Sequence, residues 1–188
     1  MAHDRGRFTS RTKSRKRAAE VLYEADQKRV ISSPSDLLSL LEERKAITSA
    51  PSPLPAYAIE IVEGVATALP EVDSLLNRHA KGAGIDRLPA VDLAVLRVAV
   101  WEMLFNSADV PRITAIDEAV SVVKQISTDT SPAYVNAVLD AVRLHLEAVP
   151  QPAREPEPAS TTSESSNTKL PEQVFEEDFE LDELLDEY

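Results

Sequence analysis

Between Leu88 and Asn106 the chain has almost no polar face. Val91, Ala94, Val95, Leu96, Val98, Ala99, Val100, Trp101, Met103 and Leu104 run round a helix on every side. A helix that is apolar all round has to be enclosed by neighbours. The next two segments are built to enclose it. Ile113, Ile116, Val120 and Val123 share one helical stripe, and Val135, Val138, Leu139, Val142 and Leu146 share another. Two-faced helices around a central one describe a compact all-α bundle. The stripes are read as core.

Start and stop signals divide the first 150 residues into about seven helices. The first runs from about Ser10 to Lys28. The second opens at Ser33-Pro34, where proline at the first helical position has no N–H to lose. Pro51-Ser52-Pro53 separates it from a third helix over about Leu54 to Ala68. A fourth is expected from Pro70 to about His79, closed by Gly82 and Gly84. The fifth opens at Leu88-Pro89, the sixth at Val110-Pro111 and the seventh at Ser131-Pro132. Residues 151–168 are rich in Pro, Ser and Thr and read as a linker. Residues 170–188 alternate acids with Val174, Phe175, Phe179, Leu181, Leu184 and Leu185, a pattern disordered alone. The expected division is therefore a flexible basic arm (1–9), a helical domain (10–150) and a disordered acidic tail (151–188).

Catalysis finds no anchor in these residues. The chain has no cysteine, so disulfides and thiolate metal sites are excluded. His3, His79 and His145 stand apart from one another, at no metal-ligand spacing. Gly82-Ala83-Gly84 lacks the motif that would make it a phosphate loop. Acid pairs such as Asp117-Glu118 read as a solvated helix face. No metal, no cofactor and no enzymatic activity are expected. No apolar run is long enough to span a membrane, and the N-terminus lacks the apolar stretch of a secretory signal. A cytoplasmic location is the expectation.

Charge is distributed unevenly. The net charge is -12 overall, yet residues 1–17 carry +6 and residues 151–188 carry -10. A local basic cluster dominates within a Debye length of roughly 8–10 Å, whatever the global sign. Arg11, Arg15, Lys16 and Arg17 sit where the first helix begins. Arg11 and Arg15 are four apart and share a face, where like charges repel. Basic groups near a helix N-terminus also oppose its dipole. An external anion would relieve both. Arginine forks fit phosphate and stack on unpaired bases.

Three stretches then carry a resemblance: SRTKSRKRAAEVLYEAD, LPAVDLAVLRVAVWEMLFNSADVPRITAIDEAVSVVKQIS and STDTSPAYVNAVLD. Together they resemble the NusB family, in its actinobacterial form, over about residues 10–147. The resemblance implies two packed helical subdomains and an RNA-binding transcription antitermination factor. It implies binding to boxA-like single-stranded RNA of ribosomal RNA transcripts, beside the ribosomal protein that serves as NusE. Other Nus factors and RNA polymerase complete the implied assembly, with the protein a monomer or a homodimer. On the RNA side it implies Arg11, Arg15, Lys16, Arg17, Thr130, Ser131 and Tyr134. On the partner-protein side it implies Tyr23 and Asp92. Two positions depart from the pattern. Thr130 stands where an aspartate is usual, which lessens repulsion of phosphate, and Ala137 stands where glycine is common.

Two other readings compete. A NusB-like domain also precedes rRNA methyltransferases, but the 38 residues after 150 are too few for a cofactor-binding domain. The second is a non-catalytic interaction module working through its acidic tail, docked as a helix in a partner's groove.

Overall fold

The computed structural model describes residues 9–46, 52–80 and 84–148. Residues 1–8 of the basic arm and the whole of 151–188 lie outside them. The described residues form six α-helices and one 3-10 turn, with no strand among them. The helices are α1 (Ser10–Gln27), α2 (Pro34–Ala46), α3 (Ala56–His79), α4 (Ala90–Phe105), α5 (Arg112–Ile126) and α6 (Ser131–Ala148). The 3-10 turn is Ile85–Arg87.

Helix α4 is the enclosed one. Every residue from Asp92 to Met103 is buried. It packs against α1, α3, α5 and α6. Helices α1, α2 and α3 pack on one another, as α5 and α6 do beside α4, and the two groups join where α4 meets α1 and α3. Trp101 lies across α3 at Gly64. A Cβ built on Gly64 would stand 2.2 Å from the indole. Glycine inside a helix costs about 1 kcal/mol relative to alanine; here it makes room for the largest side chain of α4.

The expected third and fourth helices are one. Helix α3 runs unbroken through Pro70. Proline removes the N–H that would bond the carbonyl four residues back, a cost of about 3 kcal/mol. Leu69, Val72, Leu75 and Leu76 around it are all buried, each contributing about 1.5–3 kcal/mol. Burial on both sides of the proline outweighs the local penalty. Past α3, Gly84 takes φ +82°, a left-handed conformation open to glycine. This lets the Ile85 N–H donate to Asn77 Oδ1 at 3.0 Å. Gly82 lies outside the described residues.

Helix α1 begins with a defined cap. Thr9 is extended, and its Oγ1 accepts from the Thr12 N–H at 3.1 Å. The cap fixes where the basic segment becomes helix, and so which of its side chains point inward.

Candidate nucleic-acid interface

Two places in the bundle hold all but one of the residues singled out from sequence. The first is the N-terminal half of α1. Arg11 keeps 49% of its side chain exposed and pairs loosely with Asp109, at 3.5 Å. Lys13 is exposed. Lys16 and Arg17 are partly exposed and lie 3.9 and 3.6 Å from Glu20.

Arg15 is different: it is 4% exposed. Its Nε donates to both carboxylate oxygens of Glu102, at 2.9 and 3.0 Å. Its Nη1 donates to Glu118 Oε2 at 3.1 Å. Burial alone would lower the guanidinium pKa, but the hydrogen bond and charge of Glu102, with Glu118, reverse this and raise it. The anions that relieve the crowding of Arg11 and Arg15 are therefore internal at Arg15. Its guanidinium faces α4 and α5, away from solvent.

Sequence reasoning did not single out Tyr57, which completes this cluster. It sits at the start of α3, after the Pro55 cap. Its hydroxyl donates to Glu102 and accepts from Asn106 Nδ2 at 3.2 Å. The Arg11 guanidinium lies 4.8 Å from the ring centroid and that of Arg15 lies 5.6 Å from it. Burial, then the hydrogen bond to Glu102, pushes the phenol pKa well up, so the hydroxyl stays a donor. A signal for Glu102 was present: it is the one acid between Trp101 and Met103 in an otherwise apolar stretch. An enclosed acid needs a cation. Beside the cluster is a cleft of about 250 Å³, lined by Thr9, Ser10, Arg11, Arg15, Asp109, Val110, Thr114 and Glu118.

The second place is the turn between α5 and α6. Thr130 is exposed there, between the exposed Asp129 and the buried Ser131. Asp92, at 2% exposure, lies beneath. Its carboxylate accepts from Ser127 Oγ at 2.5 Å and from Ser131 Oγ at 2.7 Å. Thr128 Oγ1 and Ser131 Oγ are 2.9 Å apart. These hydroxyls tie the turn to the first turn of α4. Tyr134 is half-buried, and its hydroxyl has no hydrogen-bond partner among the described residues. Burial, then the charge of Asp92, raises its pKa.

Asp92 and Glu102 are ten residues apart on α4, which is roughly 15 Å along a helix. The two places are thus neighbouring patches and not one cluster. Tyr23, 39% exposed on α1, belongs to neither. The described residues contain no group of three or more His, Cys, Asp or Glu able to hold a metal ion. None of their helices is long and apolar enough to cross a membrane.

The model of the NusB family matches residues 12–143. The chain belongs to the NusB family. A transcription antitermination protein NusB from Beutenbergia cavernae is 48% identical over 135 residues, covering 70% of this chain and 88% of that protein. One from Bifidobacterium longum subsp. infantis is 43% identical over 169 residues, covering 90% and 87%. Among solved structures, T. maritima NusB is 28% identical with a TM-score of 0.56, covering 71% of this chain and 90% of that one. A chain in the crystal structure of antitermination factors NusB and NusE with dsRNA has the same identity and TM-score, covering 72% and 96%. The all-helical architecture is thus the NusB architecture, and Arg15, Tyr57, Glu102 and Glu118 lie inside the matched region, with Arg11 one residue before it.

Proposed function

We propose that this chain is a transcription antitermination factor that catalyses no reaction. It binds boxA-like single-stranded RNA of ribosomal RNA transcripts alongside the NusE ribosomal protein. Within the cytoplasmic transcription complex it acts with other Nus factors and RNA polymerase. The carrying observation is the row of cations that α1 leaves at the surface of a NusB-family chain: Arg11, Lys13, Lys16 and Arg17. The names of the relatives support the function, and the NusB–NusE–dsRNA complex supports RNA and NusE as the classes of partner.

In this reading Arg11, Lys16 and Arg17 meet phosphates, and Tyr134 offers its ring to a base beside Thr130. Ser131 and Asp92 hold the turn from inside. Arg15 holds α1 from inside. Tyr23 faces the partner protein.

Equilibrium titration of a boxA RNA and a scrambled RNA, with and without the ribosomal partner, tests this across a salt series. Three phosphate contacts give a log–log salt slope of about -2, against about -3 for four. Equal affinity for both RNAs with the partner present would refute the proposal.

A further inference from the structure

Arg11 is the most exposed arginine of α1 that the structure also holds in place. Its guanidinium carbon lies over the Tyr57 ring, 4.8 Å from the centroid. Tyr57 is itself fixed. Its hydroxyl is held between Glu102 and Asn106, and Glu102 is fully buried and clamped by Arg15. A chain of contacts thus runs from the core of α4 to a cation at the surface. A free arginine has side-chain rotamer entropy to lose on binding. A guanidinium already stacked on a fixed ring has lost part of it before any ligand arrives. Among the described residues the carboxylate that pairs with Arg11 is Asp109, at 3.5 Å and 69% exposed, a loose and solvated contact.

We propose that Tyr57 is a positioning residue for RNA binding: it holds Arg11 in the pose in which the guanidinium meets RNA, and is anchored for this by Glu102 and Arg15. The inference rests on the RNA-binding reading above. Tyr57 touches the arginine and not the nucleic acid. Arg15 belongs to the support and not to the contact surface. The ring gives stacking and the hydroxyl gives the anchor.

A double-mutant cycle tests it with the full chain and a fluorescein-labelled single-stranded boxA RNA, with the ribosomal partner present. The variants are Tyr57→Leu, Arg11→Ala and both together. Cation–π contacts at exposed sites correspond to about two- to fivefold in an equilibrium constant. Tyr57→Leu should weaken RNA binding by about that factor when Arg11 is present, and leave it unchanged in the Arg11→Ala background. Tyr57→Phe keeps the ring and should restore most of the affinity. Arg11→Lys keeps the core network whole and the charge in place, but loses the guanidinium over the ring. It should weaken binding about twofold or more with the salt slope unchanged. The same loss from Tyr57→Leu in both backgrounds, or full affinity in Arg11→Lys, would overturn the inference. A wild-type chain that binds no RNA overturns the functional reading beneath it instead. Circular dichroism melts of each variant separate lost pose from lost fold.

Discussion

Removing the charge of Glu102 should destabilise the bundle far more than removing the whole ion pair. Glu102 has no exposed side-chain surface and accepts from Arg15 twice and from Tyr57 once. In Glu102→Gln the Arg15 guanidinium stays 4% exposed and keeps only Glu118, whose side chain is 21% exposed. Breaking a buried pair by neutralising one partner costs about 3–5 kcal/mol. Glu118 offsets part of this, so the lower end, about 3 kcal/mol, is expected. For a domain of this size that is roughly 10 °C in Tm. Replacing both partners with apolar side chains, Arg15→Met with Glu102→Leu, leaves no orphaned charge at that pair. Such replacements are often neutral or stabilising. The double variant should therefore be more stable than Glu102→Gln alone. Urea denaturation, with the m-value checked for constancy, reads all of these. A loss under about 0.5 kcal/mol in Glu102→Gln, or a double variant as costly as the two single changes added together, would refute the reasoning.

Other expectations are independent of that cluster. Gly64→Ala gains about 1 kcal/mol of helix propensity but drives a methyl into Trp101; a net loss of about 1–2 kcal/mol is expected, with altered tryptophan fluorescence. Arg29 takes φ +57° just past α1, so Arg29→Gly should raise the urea midpoint by relieving roughly 1 kcal/mol of left-handed strain. Two groups give acid sensitivity. The Arg44 hydrogen bond lowers Glu24 from 4.5 to about 2, so its contribution is complete above pH 4.5 and fades as pH falls towards 2. Burial, then His145 and Arg78, lowers His79 below 6.5; the unfolded chain binds that proton more readily, so stability should fall as pH drops through 6.5. Thermal melts from pH 8 to 3 should show both steps, and His79→Gln should remove the upper one.

The central helix was plain in the sequence because its pattern is a whole-circumference property, readable without knowing any neighbour. Apart from α1, which Thr9 caps, the other helix starts were legible at prolines, since a missing N–H is a local fact. Pro70 misled for the same reason. Its local penalty is real, and the burial that outweighs it depends on partners distant in sequence. Arg15 shows the limit most clearly. Its spacing from Arg11 places both on one face, but which way that face turns is decided by Glu102, 87 residues away. Tyr57 carried no pattern at all, because its role comes from meeting α1 and α4 at one point. The resemblance put Asp92 on the partner-protein side; in the fold it is buried, and its carboxylate holds the α5–α6 turn through Ser127 and Ser131.

The three charged residues of α4 have a consequence for how the bundle chooses its alignment. A purely apolar rod can slide or roll among apolar neighbours at little cost. Asp92, Arg97 and Glu102 are spaced five apart, a rotation of about 140° from one to the next, so each looks toward a different quarter. Asp92 meets the α5–α6 turn, Arg97 meets Asp26 and Asp73, and Glu102 meets Arg15 and Tyr57. Shifting α4 by a single turn would strand all three at once, several kcal/mol apiece. They work as the teeth of a key, admitting one depth and one angle of insertion for a shaft that is otherwise smooth.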